Sequence, residues 1–480
     1  MNRFNLTTEK WIPIEGGDKA SLKDVFSTEM QGLVQGNAIQ KISIYKLLFA
    51  IAQDAIKENE PIDKEKLSKS CITYLEDHYD CFWLYGEKPF LQYPELAKSN
   101  VEDNSIFCSY IPDLSAENDT IFRQTQTIVP KDDGEKAVFI LGLMSYSLGG
   151  KRVSNPELFL INKDNRGKSA KAGPSIGGGN IAGYQQSILI SDSIIDTIYL
   201  NYFSIDEISR TGYLSNGVFP PWIKMPTLEK SDYNESYKKS IFPWYLAMCR
   251  AVLLTDEGIR YCEGIQYTDY WFEPFITKNA EDRILIVDTQ KKPWRNFAAL
   301  LSEAEALDSR TVKCMAISEH LKRARNLKKT FGIWSGGLRV RGNSGDQSIK
   351  RNDDFVESVA YFDPDILGEE FYHNFREIID WSDYCGKVLY SSIQSYYTDI
   401  GFGEKNDMAK NAMNIYWSSM NQLAQRMADS SESEETAKEI KLCIFRTILS
   451  IYDNECQKNN SRQIVAWTKN RPLLGKEKKK

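Results

Sequence analysis

Histidine is scarce in this chain: three among 480 residues, at positions 78, 320 and 373. None has another at metal-ligand spacing, which argues against a histidine-built metal site. The nine cysteines, at 71, 81, 108, 249, 262, 314, 385, 443 and 456, are odd in number and contain no C-x-x-C. Neither a disulfide framework nor a zinc ribbon is expected, and free thiols are. No stretch approaches the roughly 20 uninterrupted apolar residues of a membrane-spanning helix. The opening MNRFNLTTEKWIPI breaks its apolar residues with polar ones and has no signal-peptide core, so a cytoplasmic chain with no membrane partner is expected. An excess of positive charge is missing too. The net charge of −6 excludes a protein that coats nucleic acid over its whole surface, though not one with a local basic face.

What is present is ordinary in bulk, with 42% hydrophobic and 26% charged residues, and rich in aromatics, most of which belong in a core. The length implies two or three domains. Residues 39–56, IQKISIYKLLFAIAQDAI, have near-helical apolar spacing and predict an amphipathic helix. EKAVFILGLMSYSLGG predicts a buried helix stopped by a glycine pair, and SILISDSIIDTIYLNYF is compatible with a strand followed by a helix, which periodicity alone does not settle. Residues 218–300 mix Pro, Trp and short apolar runs such as RILIVD, which suggests short strands and irregular connections. Asp363-Pro364 and Leu367-Gly368 mark a boundary. Beyond it, Met413, Trp417, Met420, Leu423, Ala424 and Met427 recur at three and four residues, the pattern of a helix with one buried face. The expected class is α+β: a large mixed α/β domain over 1–365, then a four-helix-like bundle over 366–480.

Two stretches stand out chemically. The first, GKSAKAGPSIGGGNIAGYQQSILI at 167–190, concentrates glycines ahead of an apolar run. It has no G-x-x-x-x-G-K-[ST], so no Walker A lysine and magnesium hydroxyl. Gly177, Gly179 and Gly183 fit G-x-G-x-x-x-G, and no buried strand precedes them, so the dinucleotide turn fails as well. Bare backbone that passes close to something bulky and offers its N–H groups remains, as does a plain surface loop. The second stretch, 321–351, holds Lys322, Arg323, Arg325, Lys328, Lys329, Arg339, Arg341, Lys350 and Arg351 against Asp346 alone, a local charge of +8. Residues 151–171, including Lys168 and Lys171, add six basic against two acidic residues. Such segregation suits a phosphate-binding face, and equally a solvated surface balanced by acids elsewhere.

Several stretches occur in the order of one family: FNLTTEKWIPI, GEKPFLQ at 86–92, the loop ENDTIF, GKSAKAGPSIGGG before an apolar run ending YLNYF, and SGGLR followed by DQS. Together they resemble the large subunit of the type I-E CRISPR Cascade complex, the CasA family, over residues 1–350. The resemblance implies a non-enzymatic, cofactor-free subunit of a crRNA-guided complex that checks the protospacer-adjacent motif of target double-stranded DNA and helps part its strands. Its implied partners are the backbone, small and 5′-handle-binding subunits, and a helicase-nuclease or a nuclease within the complex. By this resemblance Gly173, Gly177, Gly178, Gly179 and Asn180 form the minor-groove loop, where only bare backbone and slim side chains fit. Gln347, with Asp346 and Ser348, matches the strand-separating wedge. Seven residues, Val340 to Asp346, separate it from GGLR, a longer spacing than the family's, which leaves Asn343 as an alternative tip. Phe122 and Gln124 match a loop that docks near the 5′ end of the guide. Two rival readings stand beside this one: an intracellular enzyme using the glycine loop as an anion nest, and a generic interaction scaffold.

Overall fold

The computed structural model describes residues 3–56, 63–98, 132–146, 175–176, 179–226, 231–256, 258–265, 267, 272–304, 312–339 and 354–473. Asn37 opens the helix Ala38–Ala55: its side chain accepts from the N–H groups of Ile39 and Gln40, and the Gln40 side chain accepts from the Asn37 N–H. The sequence spacing predicts an amphipathic helix here, but nearly every face is buried. Its polar residues enter the core with partners. Ser43 Oγ donates to Ile39 O at 2.6 Å, Gln53 exchanges bonds of 2.8 and 3.2 Å with the backbone of Phe203, and Lys46 meets Glu273 at 2.9 Å. Satisfied in this way, polar residues do not require a solvent face, and the helix packs against the buried helix Asp133–Tyr146 and against the sheet.

That sheet has three antiparallel strands in the order Asp354–Phe362, Phe331–Arg339, Gln186–Ile190. The run SILISDSIIDTIYL thus resolves into a strand and the helix Ile194–Leu200, joined by Ser193, which caps the helix through Asp196 N–H. The central strand Phe331–Arg339 is buried along almost its whole length. Its glycines permit that burial. A Cβ on Gly336 would lie 2.8 Å from Val356 O, and one on Gly337 would lie 2.8 Å from Tyr184 O and 3.0 Å from Ala182 O. The residues of RILIVD form isolated bridges, Lys278 with Ile284 and Tyr184 with Ile286, rather than a continuous strand.

After Leu367 the chain becomes helical: Glu369–Ile400, Lys405–Asp429, Glu434–Glu455 and Ser461–Asn470. The first of these touches the other three. Trp417, Met420, Ala424 and Met427 are buried, together with Ala409, Ala412 and Tyr416, while Met413 and Leu423 are half-buried. Gly401, at φ 78°, ends the first helix in the left-handed conformation that favours glycine. Ser433 opens the third with a capping box to Thr436.

The bundle is seated on the sheet. Phe362 gathers the rings of Phe297, Phe331, Phe371 and Phe375. Gln425 accepts from Tyr361 N–H at 2.8 Å and donates to Tyr361 O at 2.9 Å. Trp294 Nε1 donates to Asn421 at 2.7 Å, and Arg295 pairs with Asp383 under the ring of Trp417. No helix among the described residues is long and apolar enough to cross a membrane.

Candidate nucleic-acid interface

The two singled-out stretches meet at one end of the sheet. Ser175–Ile176 and Gly179–Asn180 pair as antiparallel two-residue strands, with Ile176 opposite Gly179 and only Gly177 and Gly178 between them in the sequence. Two-residue connections of this kind favour glycine. The chain then makes the turn Ile181–Gly183 and enters the strand at Gln186, which lies opposite Gly336. Three residues past Gly336 the central strand ends at Arg339, opposite Asp354. The 14 residues between Arg339 and Asp354, which carry Asn343, Asp346 and Gln347, therefore start and finish at the same sheet end as the glycine hairpin. The close approach of Gly337 to the carbonyls of Ala182 and Tyr184 holds the two exits together. Glycines of SGGLR thus have a packing task of their own.

Most of the residues in question lie outside the described residues: Phe122, Gln124, Lys168, Lys171, Gly173, Gly177, Gly178, Arg341, Asn343, Asp346, Gln347, Ser348, Lys350 and Arg351. Of those described, Gly179 and Asn180 stand in the hairpin and Arg339 is half-buried at the end of the central strand.

The remaining cations stand elsewhere. Phe331 and Arg339 are the two ends of a nine-residue strand, so they lie roughly 26 Å apart at about 3.3 Å per step. Lys328 and Lys329 precede Phe331, at the end opposite the glycine hairpin, which divides the contiguous basic segment in two. Within the helix Met315–Asn326, Arg323 turns inward. Its guanidinium donates to the carbonyls of Tyr199, Leu200 and Tyr202 at 3.2, 3.3 and 2.5 Å, and pairs with Glu207 at 3.7 Å. The first two carbonyls belong to the last turn of the helix Ile194–Leu200 and the third lies just past its Asn201 cap, so a cation there satisfies both hydrogen bonding and the helix dipole. Arg325 reaches Leu367 O at 3.4 Å, at the entry to the bundle. Charge along the sequence suggests a phosphate face for both arginines; in the fold Arg323 is engaged by three carbonyls and the Glu207 carboxylate, and Arg325 meets the Leu367 carbonyl. Lys322, Lys328 and Lys329 are exposed. Lys329 also acts on Asp196: although burial pushes that carboxyl up, bonds from Lys64 and Ser193 and the charges of Lys64 and Lys329 hold it below the usual range.

Three polar features escaped the sequence reading. His320 is fully buried against the ring of Phe203, 4.3 Å between centroids, with no hydrogen bond to either nitrogen; burial, then the charge of Arg323, push its pKa well below the ordinary value. His78 Nδ1 lies 3.0 Å from Tyr74 O, and exposed His373 lies 3.5 Å from Glu377. The Lys46–Glu273 pair is buried under Tyr146 and Phe275, with burial pushing the lysine down and the glutamate up against the pull of each partner. A lysine amid IYKLLFAI was the available signal for it. The Gln425 clasp on Tyr361 had none. Among the described residues the cysteines are free, and no three His, Cys, Asp or Glu gather as metal ligands.

These features define a two-part α+β chain whose distinctive surface is the end of a sheet from which two polar, glycine-bearing segments leave together. The model of the family described as CRISPR-associated protein Cse1 matches residues 5–449, and the chain belongs to that family. The CasA resemblance is thereby upheld, as a type I-E large subunit. Among solved structures, CasA from Thermus thermophilus is similar over 98% of each chain, with a TM-score of 0.71 and 17% identity. Cse1 from Thermobifida fusca is similar over 98% of this chain and 97% of its own, at 0.71 and 15%. A chain of a CRISPR RNA-guided surveillance complex is similar over 98% and 99%, at 0.63 and 13%. At these identities the likeness establishes the fold. No curated protein sequence matches the chain.

Proposed function

We propose that this chain, as the large subunit of a Cascade surveillance complex, reads the protospacer-adjacent motif of target duplex DNA and opens the strands beside it without catalysing a reaction of its own. The observation that supports this reading is the common exit of the glycine hairpin and the 340–353 segment from one sheet end. Backbone around Gly177, Gly178, Gly179 and Asn180 lies against base edges in the minor groove, and Gly173 leads into it. Gln347, flanked by Asp346 and Ser348, or Asn343 on the same segment, separates the strands. A reader and a wedge must act within a base-pair step or two, about 3.4 Å each along one strand, so their shared origin is what the task requires.

Phosphates next to the wedge are met by Arg341, Lys350 and Arg351, with Arg339 at its base, and those next to the hairpin by Lys168 and Lys171. Lys322, Lys328 and Lys329 form a separate basic site at the far strand end. Phe122 and Gln124 dock the chain near the guide's 5′ handle, and the crRNA, the other Cascade subunits and a recruited or built-in nuclease complete the assembly. As in other RNA-guided systems, the protein reads a short motif while base pairing reads the sequence.

The test is duplex binding by the assembled complex with a matching guide, across randomised flanking bases, comparing the natural chain with Gln347→Ala and Gly178→Asp. A flank preference that both variants lose is the expected result. Binding that is uniform across flanks and unaffected by the variants would reject motif reading, and turnover of a small molecule would favour the enzyme instead.

A further inference from the structure

The core beneath the glycine hairpin holds more hydrogen-bonding capacity than it uses. Lys46, Tyr146, Gln186 and Glu273 are each no more than 3% exposed, and they come from two helices, a strand and a loop. Glu273 Oε1 accepts from Lys46 at 2.9 Å and from the Phe275 N–H at 3.1 Å. Among the described residues, Glu273 Oε2 has no hydrogen-bond partner, and neither have the Tyr146 hydroxyl and the two polar atoms of the Gln186 amide.

Strand alternation aims Gln186 into this group. Ser187 Oγ lies 2.7 Å from Thr277 Oγ1 and 2.6 Å from Ser335 Oγ on one side of its strand, so Gln186 points to the other. There it stands beside Glu273, whose pKa is raised by burial and drawn down by Lys46, the Phe275 N–H and Gln186. The Tyr146 ring centroid is 5.5 Å from Lys46 Nζ, and burial, then the Glu273 charge, push the Tyr146 hydroxyl well above its ordinary pKa. Unpaired polar groups are costly in a core, and water is the usual partner where several converge. The charges of Lys46 and Glu273 cancel, so an added ion would be uncompensated. A neutral molecule that both donates and accepts suits a carboxylate oxygen, an amide and a hydroxyl.

We infer that this group binds an internal water, which accepts from Gln186 Nε2 and donates to Glu273 Oε2, with the Tyr146 hydroxyl as its third partner. Its place in the chain gives the water a task. Tyr146 is the last residue of the helix Asp133–Tyr146 and Gln186 the first of the strand Gln186–Ile190, so the two flank the glycine-bearing segment. The same helix touches the turn Ile181–Gly183 that follows the hairpin. The water therefore clamps the two ends of that segment to the Lys46–Glu273 pair. Its role in function rests on the motif reading proposed above: Gln186 and Tyr146 are positioning residues for the hairpin, acting through the water rather than on DNA.

A high-resolution crystal structure of the full chain tests the site directly. The expected result is an ordered water within hydrogen-bond reach of Glu273 Oε2 and the Gln186 amide. A dry core, or a direct Gln186–Glu273 hydrogen bond of ordinary length, overturns the proposal. Hydrogen exchange on the full chain then tests the clamp, comparing the natural chain with Gln186→Met and with Tyr146→Phe, which removes only a hydroxyl and keeps the test open should the first variant misfold. Peptides covering 179–190 should exchange about tenfold faster in the variants, with the helix Lys405–Asp429 unchanged. Unchanged exchange, or equal acceleration in both regions, overturns the clamp. In the assembled complex with a matching guide, the variants should lower the preference for motif-bearing flanks severalfold and leave binding to a duplex already unpaired beside the motif unaltered. Equal loss on both substrates overturns the positioning role. A natural chain without flank preference rejects the motif reading alone, because the water and the exchange rates are measured without DNA.

Discussion

The N-terminal sheet region and the C-terminal bundle are held by different kinds of interaction. In the bundle, neighbours in space are mostly set by helical spacing: Trp417, Met420, Ala424 and Met427 share one face, and caps at Gly401 and Ser433 turn the chain back. In the sheet region, bonds connect residues far apart in the chain. Lys46 reaches Glu273 across 227 positions, Lys41 reaches Glu357 across 316, and Gln53 reaches Phe203 across 150. The lesson is that the first region is specified by pattern and the second by pairing.

Removing a pairing partner should therefore cost the most. Lys46→Ala leaves the Glu273 carboxylate buried alone, and a loss of about 4 kcal/mol in denaturant unfolding is expected. Lys46→Met combined with Glu273→Gln should recover much of it; a Lys46→Ala loss under 1 kcal/mol would break the contrast. In the bundle, Met420→Ala removes buried methylenes from a face with many other contributors, and about 3 kcal/mol is expected from the same measurement. Gly337→Ala forces a Cβ onto the carbonyls of Tyr184 and Ala182. About 2 kcal/mol of overpacking should follow, and in the assembled complex the motif-dependent step should slow, because this close approach joins the two exits.

Smaller effects sharpen the picture. His320 is neutral when folded, its pKa depressed below the ordinary 6.5. The unfolded chain takes up its proton near pH 6.5 and the folded chain does not, so stability is full above that pH and falls below it by about 1.4 kcal/mol per unit. His320→Leu should flatten that limb in melts between pH 7 and 5. The smallest change is at Lys328, which sits at φ 50° after the helix Met315–Asn326. Lys328→Gly removes a charge and relieves left-handed strain, so it should raise stability by roughly 0.5 kcal/mol. In duplex binding it should flatten the salt slope by no more than about 0.9, the share of one phosphate.

The same contrast explains what the sequence made legible. The bundle helices were readable because periodicity is local information, whereas periodicity left the run SILISDSIIDTIYL undecided, and the Ser193 cap in the structure divides it into the strand Gln186–Ile190 and the helix Ile194–Leu200. The helix Ala38–Ala55 was found, but its solvent face was misjudged, since the partners of Lys46 and Gln53 lie in distant segments. At the candidate interface, the glycine and SGGLR stretches were singled out separately. Their adjacency is a property of strand register, which pairs Gln186 with Gly336. In the basic segment, sequence sets Arg323 beside Lys322, while folding sends Arg323 to the carbonyls of Tyr199, Leu200 and Tyr202 and leaves Lys322 exposed.

The Gln425 clasp has a consequence for solubility. Asp354–Phe362 is an edge strand, and an edge presents N–H and C=O groups that can template pairing with another chain. Gln425 occupies one such pair at Tyr361 with a side-chain amide in place of a fourth strand. The bundle is thereby a guard against self-association as well as a neighbour. A fragment ending before residue 366 would present that edge, along with the rings around Phe362, and would aggregate where the intact chain does not.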